Sequence, residues 1–164
     1  MTQSTDTSNS TDSTVRASIE VAAPRDRAFE VFTRDFGAFK PRTHSILQAP
    51  LAETVVEPHV GGHLIDRGTD GSECPWGTVL VHEPPERFVF SWDISPSWEL
   101  ESDRARTSEV HVTFTVVDES TTRVDLEHRH LDRHGDGWTS VRDSVSHGEG
   151  WPLYLDRYAA VVTG

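Results

Sequence analysis

Cysteine is nearly absent from this chain, which has only Cys74 in 164 residues. No intramolecular disulfide is available, nor a Cys-Cys pair for zinc or redox work. Positive charge is also scarce, since 15 Lys and Arg face 27 Asp and Glu for a net charge of −12, with no basic block. Nucleic acid and anionic membranes are thereby disfavoured as partners, because both need clustered cations. No run approaches the length of about 18 apolar residues that reads as a membrane span, and Met1 onward lacks the charged start and apolar core of a signal peptide. The expected location is the cytoplasm. Catalytic punctuation is missing as well. The chain has no phosphate-binding glycine loop, no His-Glu-x-x-His helix and no nucleophile elbow. No cofactor and no metal are expected.

What is present is pattern. Met1 to Thr14 is almost all Ser, Thr, Asp, Asn and Gln, with nothing to bury, and is expected to be a disordered tail before one domain over residues 15–164. Val15 to Val21 alternates apolar and polar residues as a half-buried strand does. Pro24 suits the first turn of a helix carrying Ala28, Val31 and Phe32, and Phe36 to Phe39 forms a second short turn before Pro41. Strands are expected over Leu51–Val56, Val60–Arg67, Trp76–His82 and Phe88–Trp92. Hairpin partners follow, with Val110, Val112, Phe114 and Val116 on one and Val124, Leu126, His128 and His130 on the other. Between these groups, Asp93 to Thr107 is a long polar loop with Trp98 isolated among charges.

The last pattern runs from Trp138 to Val162. Trp138, Val141, Val145, Gly148, Trp151, Leu155, Tyr158 and Val162 recur at three or four residues, one stripe of a helix. Pro152 interrupts it, which predicts a break near Gly148 to Trp151 with Pro152 opening a second segment. An antiparallel sheet with helices gathered on its apolar face is an α+β domain.

The run from Trp76-Gly77-Thr78 through Glu83-Pro84-Pro85-Glu86-Arg87 to Phe90-Ser91-Trp92 resembles bacterial proteins similar to the activator of heat-shock-protein-90 ATPase, within the START-like (SRPBCC) superfamily. Gly61-Gly62, the segment Glu109 to Leu131, and Gly150-Trp151 followed by Leu155-Asp156-Arg157-Tyr158 match in order. The resemblance implies the helix-grip fold, in which a curved antiparallel sheet of six to seven strands wraps a long C-terminal helix and leaves a cavity. It also implies a small hydrophobic or aromatic ligand as partner.

Candidate ligand-binding residues are the aromatics of that interior, Trp76, Phe90, Trp92, Trp98, Phe114, Trp151, Tyr154 and Tyr158, with His128 and His130 placed on the inward face by strand parity. Trp98 is the candidate for a lid or entrance. A metal on His128 and His130, with His134 and His147 nearby, is outweighed by buried or rim histidines hydrogen-bonded to protein or water. Acid–base work by His128, partnered by Tyr154, Tyr158 or Asp66, is the intermediate reading. The catalytic set is unassigned. Ligand binding is the leading function, with a cyclase or hydrolase using cavity His and Tyr, or a co-chaperone-like interaction domain, as alternatives.

Overall fold

The computed structural model describes residues 13–163. The expected tail, up to Asp12, lies outside the described residues. Seven strands are present: β1 (Val15–Val21), β2 (Leu51–Val56), β3 (His63–Gly68), β4 (Glu73–Glu83), β5 (Arg87–Trp92), β6 (Ser108–Asp118) and β7 (Thr121–Arg129). Four α-helices accompany them among the described residues: α1 (Arg25–Arg34), α2 (Phe36–Phe39), α3 (Trp138–Ser146) and α4 (Trp151–Thr163). The strands form one antiparallel sheet in the order β1-β7-β6-β5-β4-β3-β2, so β1 and β2 are its edges. This is the helix-grip fold of an α+β domain.

Alternation in the sequence sets which face of each strand is buried. Val110, Val112 and Phe114 of β6 and Val124, Leu126 and His128 of β7 all point inward, and Val110 faces His128 across the ladder. Register slips in the β3/β4, β4/β5 and β6/β7 pairs add an extra residue to one strand. Such bulges increase twist and bend the sheet, which makes one face concave.

Helices α1 and α2 fill one half of that concavity. Phe29 and Phe32 meet Phe88 and Phe114 edge to face at 5.2–6.4 Å, and Phe36 lies 6.2 Å from Phe90. Helix α4 seals this half. Its Tyr158 packs on Phe32 and Phe39, both at 5.2 Å, and donates its hydroxyl to the Ala28 carbonyl at 2.6 Å.

The C-terminal stripe is broken where proline predicted. Helix α3 stops at Ser146 and α4 begins at Trp151, with Pro152 in its first turn, where the missing N–H costs no helical bond. Gly150 makes the junction close. A side chain there would overlap the Val145 carbonyl, so the chain can fold back only without a Cβ. Gly148, which the stripe places inward, is exposed, because the break resets the helical phase.

Candidate functional site

The other half of the concavity is open. A cleft of about 1010 Å³ lies between β3–β5, the segment Thr43–Ile46, and the junction of α3 with α4. That is the upper end of the range of about 300–1,000 Å³ for small-molecule pockets. Its walls are indoles. Trp76 and Trp92 project from neighbouring strands and meet edge to face at 5.7 Å, while Trp151, the first residue of α4, meets Trp92 at 5.9 Å. Trp98 comes from the loop after β5, is 45% exposed, and borders the opening with a left-handed backbone.

The inner end is polar. Lys40 ends the α2 turn and is only 4% exposed, with Nζ 3.2 Å from Asp66 Oδ2 and a further bond from Nζ to the His44 carbonyl. Asp66 shares the inward face of β3 with Leu64, and its Oδ1 accepts from Thr54 Oγ1 at 2.7 Å and Trp76 Nε1 at 3.0 Å. Lys40 also lies 5.6 Å from the Trp76 ring centroid. Burial pushes the Lys40 amine below its ordinary pKa, and Asp66 opposes that by favouring the charged form. Beside the pair, His44 Nδ1 is 3.1 Å from the Tyr154 hydroxyl. Burial, then the nearby Lys40 charge, lowers the His44 pKa, and burial raises that of Tyr154. Near neutral pH this end therefore presents a neutral imidazole and a protonated phenol.

A second polar network lies behind Trp151. Trp151 Nε1 donates to His128 Nδ1 at 3.1 Å, and Ser108 Oγ bridges His128 Nε2 at 2.7 Å and His134 Nε2 at 2.8 Å. The proton positions follow from the indole, which can only donate. His128 Nδ1 must accept, so its Nε2 carries the proton and donates to Ser108, which in turn donates to His134. Burial, with a smaller contribution from His134, pushes His128 down to about 3 and keeps it neutral. Both of its ring nitrogens are engaged, and it does not line the cleft. The network fixes the angle of the Trp151 wall.

The family model described as activator of Hsp90 ATPase homolog 1-like protein matches residues 22–163. The chain belongs to this family. Among solved structures, this family member is similar to the anthrahydroquino-gamma-pyrone synthase Txn09, at 36% identity over 90% of this chain and 96% of that one, with a TM-score of 0.65. It is also similar to CalC of Micromonospora echinospora, described as a self-sacrificing resistance protein, at 29% identity, 91% and 93% coverage, and a TM-score of 0.64. Protein NE0264 from Nitrosomonas europaea shares the fold alone, at 13% identity, 92% and 94% coverage, and a TM-score of 0.63. No curated protein matches the sequence.

Of the residues that the sequence nominated, Trp76, Trp92, Trp98, Trp151 and Tyr154 come together on the cleft wall. Phe90, Phe114 and Tyr158 do not. They lie inward as expected, but under α1, α2 and the indoles, in the filled half of the concavity. His128 is sealed behind Trp151. His130 departs from the expected parity, because β7 ends at Arg129 and His130 turns outward with φ 63°. Among the described residues no group of three or more His, Cys, Asp or Glu is placed to hold a metal ion. No helix among them is long and apolar enough to cross a membrane.

Sequence reasoning missed Lys40 and His44. One signal was available: Lys40 is the only lysine in the chain.

Proposed function

We propose that this protein binds a small, flat, largely apolar or aromatic molecule in the cleft between the sheet and the α3–α4 junction. The observation that carries the reading is the combination of four indoles on the wall with a buried Lys40–Asp66 pair at the inner end. Apolar walls with a few convergent polar groups are the usual make-up of such sites. The test is a titration with planar aromatic, polyketide-like and fatty-acid compounds, following tryptophan fluorescence and melting temperature. Quenching with a rise in melting temperature is expected for the planar aromatics. No response to any class would sink the proposal.

A second reading, a cyclising enzyme, is favoured by the 36% identity to the Txn09 synthase. The groups suited to proton transfer are then His44 and Tyr154, not His128, whose nitrogens are both committed. Turnover of a polyketide-like ketone that is lost in His44→Gln, with ligand affinity kept, separates catalysis from passive binding.

A further inference from the structure

The inner end of the cleft discriminates among ligand oxygens, and the discrimination follows from the donors available. An ammonium has three N–H donors. Lys40 directs one to the His44 carbonyl and one to Asp66 Oδ2. The third meets no acceptor among the described residues. Asp66 cannot supply a further one at Oδ1, which already accepts from Thr54 and Trp76. Lys40 lines the cleft, so its remaining donor is available to a ligand acceptor.

The rim has the opposite character. Asp143 and Glu149 are exposed and line the same cleft, on a chain of net charge −12. A permanent anion such as a carboxylate must pass like charges before it reaches Lys40. A weak acid that is neutral in solution avoids this penalty at the rim and develops its charge at the inner end, where the attraction of the Lys40 ammonium is partly offset by the Asp66 carboxylate 3.2 Å from Nζ on the same lining.

On the small-molecule reading above, we propose that the cleft selects planar aromatic ligands bearing a phenolic or enolic hydroxyl, and that Lys40 binds this oxygen and promotes its ionisation. The step balances simply. The ligand O–H bond breaks, its proton passes to solvent, and the resulting oxyanion accepts an N–H from Lys40, which stays an ammonium. An opposite charge within hydrogen-bond range lowers an acid's pKa by about 1–3 units, and the Asp66 carboxylate paired with Lys40 keeps the expected shift at the lower end of that range.

Three probes on one ring system test this: anthraquinone, 2-hydroxyanthraquinone and anthraquinone-2-carboxylate. Ionisation of the hydroxyl moves its visible band to longer wavelength, so absorbance reads the charge state of the bound ligand directly. The expected result is that 2-hydroxyanthraquinone binds at least tenfold more tightly than either companion and titrates at least one pH unit lower when bound than when free. In Lys40→Met combined with Asp66→Asn, which removes both charges, the shift is expected to vanish and the affinity to fall to that of anthraquinone. Equal binding of anthraquinone and its hydroxyl derivative, with no spectral shift, overturns this inference and leaves the binding reading standing. Tightest binding by the carboxylate overturns the rim argument and with it the inference. Failure of all three to bind overturns both readings. The wild-type comparison decides even where the double variant does not fold.

Discussion

Replacing Lys40 by Met tests whether the polar end of the cleft is as buried as it looks. The side chain is 4% exposed, and its partner Asp66 is 2% exposed. Methionine keeps most of the apolar stem of lysine and is one heavy atom shorter, so packing changes little and the main quantity lost is charge. Asp66 is then left as a carboxylate with two neutral donors, Thr54 and Trp76, and no cation. Breaking a buried pair in this way costs about 3–5 kcal/mol. For a chain of this size each kcal/mol moves the melting temperature by roughly 2–4 °C, so a fall of about 6–20 °C is expected. Urea unfolding followed by tryptophan fluorescence gives the free energy directly. The informative comparison is Lys40→Met with Asp66→Asn, because the asparagine carbonyl still accepts from Thr54 and Trp76 while the stranded charge is gone. That double variant is expected to recover most of the loss, since replacing both members of a buried pair is often close to neutral. A cost under about 1 kcal/mol for Lys40→Met alone, the range of an exposed pair, would refute the reasoning.

Three further outcomes follow from the same geometry. The pKa of His128 is about 3 in the folded chain and about 6.5 unfolded, so the unfolded state takes up the proton first; stability is whole above pH ~6.5, falls as pH drops towards 3, and loses roughly 3–5 kcal/mol across that window. Urea midpoints between pH 7 and 3 check this, and a flat profile would contradict a sealed, neutral His128. Trp151→Ala is expected to cost about 3–5 kcal/mol by emptying the wall, whereas Trp151→Phe keeps most of the packing, orphans His128 Nδ1 and costs about 1–3 kcal/mol; a cost of Trp151→Phe below about 0.5 kcal/mol in denaturation would show that the indole N–H contributes nothing. Cys74 is 5% exposed and its thiol is pushed up to about 11 by burial, so iodoacetamide at pH 8 should label it slowly in the native protein and fully in denaturant, by mass spectrometry.

The strands and the broken helix were legible because periodicity survives wherever a regular element meets a core. Val110, Val112 and Phe114 could be assigned inward from alternation alone, and Pro152 located the junction that shapes the cleft. What alternation cannot say is which inward residues face another element and which face open space. Phe90 and Phe114 obey the same rule as Trp76 and Trp92, yet α1 and α2 cover the two phenylalanines, while the two indoles, themselves largely buried, border the cleft. Parity also fails one residue past the end of a strand, which is how His130 was placed inward while the chain had already turned.

Lys40 was hidden for a different reason. It follows a four-residue helix and precedes a proline, so no period assigns it a side, and composition alone places a lysine at the surface. The clue to its depth was on another element. Asp66 falls in phase with Leu64 on a strand whose inward face is buried, and a carboxylate on such a face requires donors from neighbouring elements. Thr54 and Trp76 supply neutral donors, and among the described residues the cation paired with Asp66 is the chain's single lysine. An inward acid in a strand is thus a pointer to a partner that periodicity cannot place, and here both members of the pair border the open cleft. Their joint position sets a buried cation, whose loss alone would strand the Asp66 charge, on the wall of the cleft, where on the proposal above its remaining donor meets whatever enters.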